Sequence, residues 1–312
     1  MLVQGTSRLL EASISTDAQV ADMSFSPIQM TVVSGKGGTG KTTVVGSLAA
    51  LAEKKVLADC DVDAANLYQI VSPTVLESGD FLGMQIPVRD EDLCIRCGKC
   101  EEVCRFDAIT VEAVNELSCE GCGFCALVCP VDALQMQSIS CGEWHRADTR
   151  FGPLVYARLI PGAESSGRLV TMVRQKAEDV ALQQQLPLIL IDGAPGIGCV
   201  ATAAITGTDL CLVVTEPSLS GIHDMERVGD LIAHFGVPMA VIINKADINQ
   251  ENSARIRSYC EQRGIELLAE LPYDESVTEA MAEGVPLIEH QDGPVVAGIR
   301  QAWSRLEQLL NL

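Results

Sequence analysis

The sequence has few aromatic residues, few cations and no long apolar run, and each deficit excludes a class of protein. Aromatic residues make up 4% of the 312 residues, although apolar residues reach 47%. Lysine and arginine number 22 against 42 aspartates and glutamates, so the formal net charge is −20. Without a cation cluster we expect no nucleic-acid partner, and an anionic membrane surface would repel the chain on average.

Targeting and membrane-spanning signals are also missing. The first residues lack a cationic start followed by an apolar run, and no stretch of about 20 apolar residues occurs. Residues 1–27 show no periodicity, and we interpret them as a loosely held tail. We therefore expect a cytoplasmic protein without stable membrane insertion, in which the 13 cysteines bind metal more readily than they form disulfides.

Short apolar runs alternate with helical patterns along most of the chain. The strands are predicted at residues 28–34, 55–60, 187–192, 209–215, 239–245 and 265–271. The helices are predicted near residues 41–53, 169–185, 221–235, 250–262, 277–283 and 295–310. This alternation predicts an α/β fold whose doubly wound, mostly parallel sheet is covered on both faces.

A cysteine-dense, turn-rich segment interrupts that pattern. We predict a main domain formed by residues 28–87 and 142–312, and an inserted α+β domain at residues 88–141. Residues 142–167 are expected to be an irregular link. An insert of this size has too small an apolar core to fold without metal sites.

A glycine-rich loop lies between the first predicted strand and the first predicted helix. It comprises Gly35, Lys36, Gly37, Gly38, Thr39, Gly40, Lys41, Thr42 and Thr43. Glycines let the backbone N–H groups curl around phosphates, and the helix N-terminus adds partial positive charge. In such a P-loop the second lysine, Lys41, reaches the β- and γ-phosphates and Thr42 binds Mg²⁺.

The extra lysine at the start of the loop, Lys36, resembles the signature of the MinD/ParA/Mrp/nitrogenase-iron-protein group of P-loop ATPases. The resemblance implies an ATP-dependent homodimer in which Lys36 reaches the nucleotide of the other subunit and acts in catalysis with Lys41. It also implies that Asp61 positions the attacking water. Asp59 and Asp192 would lie on the Mg²⁺ side, the latter holding a bound water.

Two later segments extend the same resemblance. Asn244 matches the adenine-reading asparagine of the group, and Pro272 and Tyr273 match the loop beside the base. Any single aspartate at a strand end could instead be a simple cap. The elements nevertheless occur together and in the family's order.

The cysteine-dense segment contains a duplicated C-x₂-C-x₂-C-x₃-C run that resembles a bacterial two-cluster ferredoxin. Its eight cysteines are Cys94, Cys97, Cys100, Cys104, Cys119, Cys122, Cys125 and Cys129. In that family the fourth cysteine of each run binds the other [4Fe-4S] cluster. Cluster I is then assigned to Cys94, Cys97, Cys100 and Cys129, and cluster II to Cys119, Cys122, Cys125 and Cys104. Structural zinc is the alternative, but a third cysteine in each run fits zinc knuckles poorly.

The remaining cysteines are expected to pack in the core, above all Cys60, Cys211 and Cys260. Cys199 lies seven residues after Asp192, near the offset of a cluster ligand in the nitrogenase iron protein. Packing among small residues is the favoured interpretation for it.

From Gln29 to about Leu310 the chain resembles MinD-superfamily ATPases with an inserted ferredoxin domain. The resemblance implies an ATPase that uses ATP and Mg²⁺ and gates electron transfer through two clusters. An unidentified redox or client protein would be its partner. Two alternatives stay open: a maturation or carrier ATPase that delivers metal or clusters, and a MinD-like positioning ATPase that senses redox state.

Overall fold

The architecture comes from a computed structural model, which describes residues 25–160, 163 and 167–312. Most of the predicted tail, residues 1–27, lies outside these ranges. Within them the strands are β1 Ile28–Val33, β2 Lys55–Asp59, β3 Thr74–Arg89, β4 Leu134–Thr149, β5 Gly152–Leu159, β6 Leu188–Asp192, β7 Leu210–Thr215, β8 Met239–Ile243 and β9 Glu266–Glu270.

The helices of the described residues lie mainly between these strands. They are α1 Lys41–Leu51, α2 Leu67–Val71, α3 Lys99–Val103, α4 Phe124–Leu127, α5 Gly167–Gln184, α6 Cys199–Ile205, α7 Leu219–His234, α8 Gln250–Arg263, α9 Ser276–Glu283, α10 Leu287–His290 and α11 Pro294–Leu310. Every predicted strand and helix is present, with ends within about two residues of those expected.

One sheet contains all the strands of the described residues, in the order β3-β4-β5-β2-β6-β1-β7-β8-β9. The neighbouring strands β5, β2, β6, β1, β7, β8 and β9 pair in parallel. At the other edge, β3 pairs antiparallel with β4, and β4 pairs antiparallel with β5. The central strand β6 is buried along its whole length. The predicted α/β fold with a mostly parallel sheet is therefore confirmed.

Helices cover both faces of the sheet. The helices α1, α2, α9, α10 and α11 pack on one face. On the other face, α5 and α6 pack over one half and α7 and α8 over the other. Because the parallel strands have their carboxyl ends at one edge, the loops that follow β1, β2, β6, β7 and β8 meet there.

The strands β3 and β4 form a long antiparallel arm at one edge of the sheet, and residues 90–133 join their far ends. That joining segment contains the eight cysteines of the duplicated run, α3, α4 and a 3₁₀ turn at Glu116–Ser118. The predicted domain boundaries at residues 88 and 141 therefore fall inside strands. The expected irregular link at 142–167 is wrong over much of its length, because the end of β4 and all of β5 occupy it.

The last helix, α11, buries its apolar stripe against the sheet. Val295, Val296, Ile299, Trp303 and Leu306 are all buried, and so is Leu310. This confirms the expectation that the helix packs in the core. Among the described residues, we find no helix with the length and apolar character needed to cross a bilayer.

Candidate functional site

The phosphate loop connects β1 to α1 at the carboxyl edge of the sheet. Gly40 has a φ of 92° and directly precedes α1. A Cβ at this position would lie 2.3 Å from Nδ2 of Asn244, so only glycine fits. Asn244 itself donates from Nδ2 to the carbonyl oxygen of Thr39 at 2.8 Å. Asn244 thus braces the loop, and the adenine reading expected for it stays a prediction.

Lys41 forms a buried ionic centre with two of the predicted carboxylates. Its Nζ contacts Oδ1 of Asp192 directly and lies 3.5 Å from Oδ2 of Asp61. Burial alone would lower the pKa of Lys41, but the negative charges of Asp192 and Asp61 outweigh it and raise that pKa. The lysine therefore stays charged and is held at the helix start where phosphates would bind.

Asp59 is fully buried beside this centre. Its Oδ1 accepts the backbone N–H of Asp61 at 3.2 Å, and its Oδ2 accepts that of Leu67 at 3.1 Å. Burial, together with the neighbouring carboxylate of Asp192, raises the pKa of Asp59. These two hydrogen bonds hold the loop after β2 in place. The Mg²⁺-side role expected for Asp59 stays a prediction.

Asp192, expected on the Mg²⁺ side, and Asp61, expected to position the attacking water, have features suited to those roles. Oδ2 of Asp192 is buried and has no hydrogen-bond partner within the described ranges. Such a buried oxygen is costly to leave unpaired, and a Mg²⁺-bound water would satisfy it. Burial also raises the pKa of Asp61, although the charge of Lys41 opposes this. A carboxylate with a raised pKa is a better hydrogen-bond acceptor for an attacking water.

Lys41 and Asp61 border a cleft of about 740 Å³, a size suited to a nucleotide, whereas Asp59 and Asp192 lie buried behind its wall. The predicted site residues in its wall are Gly37, Gly38, Gly40, Lys41, Thr42, Thr43, Asp61, Asn244, Pro272 and Tyr273. Tyr273 is exposed, and its backbone N–H donates to Oδ1 of Asp247 at 2.7 Å. The structure therefore brings together, around one cleft, residues from distant parts of the sequence.

Lys36 does not line this cleft. Its Nζ lies 2.6 Å from Oε1 of Glu216 and 3.1 Å from the hydroxyls of both Ser218 and Ser220. Glu216 also pairs with Lys245 at 3.2 Å. The resemblance assigns Lys36 to the nucleotide of the partner subunit. In this structure of one chain, Lys36 instead binds residues of its own chain.

Glu216 is a site residue that the sequence interpretation missed. Burial would raise its pKa, but the hydrogen bonds and charges of Lys36 and Lys245 outweigh burial and lower it. The glutamate directly follows β7, which neighbours β1 in the sheet. An acid at the carboxyl end of that strand was the available signal, since such positions lie beside the phosphate loop.

The eight cysteines of the duplicated run surround two small cavities between the arm and its joining segment. Cavity I is lined by Cys94, Cys97, Cys100 and Cys129. Cavity II is lined by Cys104, Cys119, Cys122 and Cys125. The fold thus groups the cysteines in the same crosswise manner as the assigned ligand sets, with one cysteine of each set supplied by the other run.

Backbone N–H groups point at several of these sulfurs. Ala108 donates to Sγ of Cys104 at 3.4 Å, and Ala133 donates to Sγ of Cys129 at 3.3 Å. Gly121 donates to Sγ of Cys119 at 3.4 Å. Hydrogen bonds of this kind favour the thiolate form, which metal binding requires.

The cysteines surround the cavities without converging on a point. In the described part of the chain, no three histidine, cysteine, aspartate or glutamate side chains lie close enough together to hold a single metal ion. A zinc knuckle needs four ligands around one ion. Both the cluster assignment and the zinc alternative therefore stay predictions.

The other cysteines divide into buried and exposed positions. Cys60, Cys211 and Cys260 are buried, which confirms the core role predicted for them, and Cys141 is buried as well. Cys199 is exposed at the first residue of α6 and lines the nucleotide cleft. The packing role favoured for Cys199 is therefore wrong, because the turn before α6 directs the residue to the cleft.

Comparisons with known proteins point in one direction. The family model described as the CobQ/CobB/MinD/ParA nucleotide binding domain matches residues 30–287. The uncharacterised protein MJ0578 of Methanocaldococcus jannaschii is 31% identical over 289 residues, covering 91% of this chain and 98% of the relative. The uncharacterised ATP-binding protein MJ0547 of the same organism is 26% identical over 287 residues, covering 89% and 87%.

A solved structure shares the fold. The septum site-determining protein MinD from Pyrococcus horikoshii OT3, complexed with Mg-ADP, superimposes with a TM-score of 0.57. The two sequences are 19% identical, and the match covers 91% of this chain and 97% of the other.

Proposed function

Because this chain belongs to the CobQ/CobB/MinD/ParA family of nucleotide-binding domains, we propose that it is a Mg²⁺-dependent ATPase whose nucleotide state is coupled to electron transfer. The electrons would pass through two [4Fe-4S] clusters in cavities I and II. The observation that supports this most is the crosswise grouping of the eight cysteines around two cavities. A cubane places one thiolate at each of four corners, so its cysteines surround a cavity instead of converging on a point.

The ATP chemistry follows from the ionic centre in the cleft. Lys41 stays charged and lies at the N-terminus of α1, where it would neutralise the β- and γ-phosphates. Thr42 and the unpaired oxygen of Asp192 would hold Mg²⁺, one directly and one through water. Asp61 would accept a hydrogen bond from the attacking water.

The cysteine cavities supply the second half of the proposal. A [4Fe-4S] cluster accepts and donates single electrons, with a potential set by its surroundings. The thiolates of cavity I and cavity II would hold the clusters, and the N–H groups directed at Cys104, Cys119 and Cys129 would stabilise the charge on sulfur.

A chain of contacts leads from the nucleotide site to the part of β4 that lies nearest the main sheet. Asp59 binds the backbone N–H of Leu67, the first residue of α2. The next residue, Tyr68, stacks on Tyr156 of β5 with ring centres 5.7 Å apart. Tyr156 in turn stacks on His145 of β4 at 4.7 Å. Since β4 leads to the cysteines, a shift of the loop after Asp59 on hydrolysis would be transmitted to the arm.

The test is anaerobic purification of the full chain, followed by iron and sulfide analysis, EPR spectroscopy and ATP turnover measured with and without a reductant and an acceptor. We expect about eight iron atoms per chain and turnover that changes with redox state. Cys97→Ser should disturb the EPR signal of one cluster, whereas Cys260→Ser, at a buried core position, should leave both signals unchanged. A chain with zinc and no iron, or turnover independent of redox state, would refute the proposal.

The two other functions make different predictions. A carrier ATPase would lose its iron to an apo-protein acceptor, so clusters that resist exchange argue against it. A MinD-like positioning ATPase would bind liposomes in the presence of ATP. The septum-site relative shares the fold, but the burial of the apolar stripe of α11 removes that helix as a membrane anchor.

A further inference from the structure

The two cysteine cavities differ in charge. The wall of cavity I includes Arg89, Arg96 and Lys99 and no acid. The wall of cavity II includes Glu120 as its one charged side chain besides the cysteines. This asymmetry is unexpected in a segment built from a duplicated run.

Arg89 is the cation of cavity I that is least exposed to solvent. Its side chain is 5% exposed, and Nη1 donates to the carbonyl oxygen of Val111 at 2.8 Å. Nη1 also lies 3.8 Å from Oε1 of Glu91, a 61% exposed carboxylate that solvent screens and that does not line the cavity. Nη2 donates to the carbonyl oxygen of Thr110. The third group, Nε, is buried and has no partner in the described part of the chain. A buried donor on a charged group is costly to leave unpaired, and because Arg89 lines cavity I, a group bound there would supply an acceptor.

We infer that Arg89 donates a hydrogen bond and positive charge to the group bound in cavity I, and that cluster I therefore has the higher reduction potential. This inference rests on the proposed function. Reduction adds one negative charge, which nearby cations stabilise. A single electron from a one-electron reductant therefore resides on cluster I, and cluster II is reduced second. Cavity I is the electron-collecting end of the segment.

Other contacts modify this difference without reversing it. The N–H groups of Ala108 and Gly121 point at sulfurs of cavity II, whereas that of Ala133 points at a sulfur of cavity I. These backbone donors are dipoles without net charge, so each contributes less positive potential than a charged guanidinium. Arg96 and Lys99 are exposed, so solvent and salt screen them. The buried guanidinium of Arg89 is thus the decisive charge.

The test is an EPR-monitored redox titration of the anaerobic holoprotein with dithionite and mediators. We expect two separate one-electron steps in the wild type. Arg89→Met should lower the upper step by about tenfold in its equilibrium constant, which is 59 mV for one electron. Arg105→Met is the matched control, because Arg105 is an exposed arginine of the same segment that lines neither cavity. Glu120→Gln should raise the lower step.

The possible outcomes separate a failure of the inference on Arg89 from a failure of the proposed function. If Arg89→Met shifts the lower step, or neither step, the inference is wrong, while about eight irons per chain would leave the proposed function intact. Absence of iron in the wild type would refute the proposed function itself. If Arg89→Met fails to fold or loses iron, Arg89→Gln replaces it, because glutamine removes the charge and keeps a polar side chain that can still donate to the carbonyl oxygens of Thr110 and Val111. A downward shift of the upper step in that variant supports the inference, and no shift overturns it.

Discussion

At the scale of single residues, the nucleotide site combines one buried lysine with three buried aspartates, so attraction and repulsion between charges oppose each other. Lys41 compensates Asp61 and Asp192, while Asp59 is kept in place by two backbone N–H groups. Two buried carboxylates, Asp59 and Asp192, repel each other when both are ionised. Mg²⁺ would relieve this repulsion, so metal binding and proton binding must compete.

This competition predicts a pH dependence of Mg·ATP binding. Since burial and Asp192 raise the pKa of Asp59, the free protein retains part of a proton there at a pH where an ordinary aspartate is ionised. Mg²⁺ favours the ionised form, so binding should release a proton and affinity should weaken as the pH falls. Calorimetric titrations at pH 6.5 in buffers of different ionisation enthalpy measure the released protons.

The same titration at an alkaline pH, above the raised pKa, is the internal control and should show no release. Binding without proton release at both pH values would contradict this description of the carboxylate pair.

At the scale of elements, burial on both faces made the parallel strands predictable. Residues 188–192 and 210–215 are continuous apolar runs closed by an aspartate and a threonine. The strands β3 and β4 gave no such signal. Their inward positions are sparse, with Phe81, Ile86, Leu134, Cys141 and Ala147 as the buried hydrophobic ones, and polar residues separate most of them.

The long connection between β3 and β4 is a second reason why the arm could not be predicted from the sequence. Hairpins are usually recognised by a short turn containing Gly, Asn or Asp. Here residues 90–133 replace that turn, so the two strands lie far apart in the sequence. The cysteine spacing could be recognised because ligand positions obey local rules. The contacts of Arg89 and Glu216 could not be predicted, since their partners come from distant elements, although the place of Glu216 at the end of a strand was a signal for its position.

The last helix allows a test of the packing assigned to it. Trp303→Ala removes a large buried side chain of α11, and we expect a loss of about 3–5 kcal/mol in the free energy of unfolding. Leu309→Ala on the same helix is the matched control, because Leu309 is 48% exposed and should cost less than about 0.5 kcal/mol. Urea unfolding followed by far-UV circular dichroism measures both.

Liposome co-sedimentation in the presence of ATP is a second test of the packing of α11. Neither the wild type nor Leu309→Ala should bind liposomes, since the apolar stripe faces the sheet. Equal stability losses for the two variants, or clear liposome binding, would show that the helix is not a core element.

At the scale of the whole molecule, the position of Lys36 predicts a change on dimerisation. In one chain its Nζ is bound to Glu216, Ser218 and Ser220. A lysine bound in this way cannot also reach the nucleotide of a partner. We therefore expect ATP to favour a dimer in which Lys36 leaves Glu216.

Gel filtration of a hydrolysis-deficient variant, Asp61→Ala, tests this. With Mg·ATP the variant should elute as a dimer, and with ADP as a monomer. Adding Lys36→Ala should restore the monomer, because the contact across the interface is lost, whereas adding Lys54→Ala, at an exposed position, should leave the dimer intact. A monomer of Asp61→Ala with ATP would count against the trans-acting lysine.

The coupling of nucleotide and electron sites is the property on which the proposed function depends. Coupled sites change each other's affinity by the same factor, typically about 5- to 150-fold. The direct measurement is the pair of cluster reduction potentials in Asp61→Ala, titrated with and without saturating Mg·ATP. We predict that ATP shifts at least one potential, and that reduction shifts ATP affinity by the same factor. Superimposable titration curves would contradict the coupling and leave two independent sites in one chain.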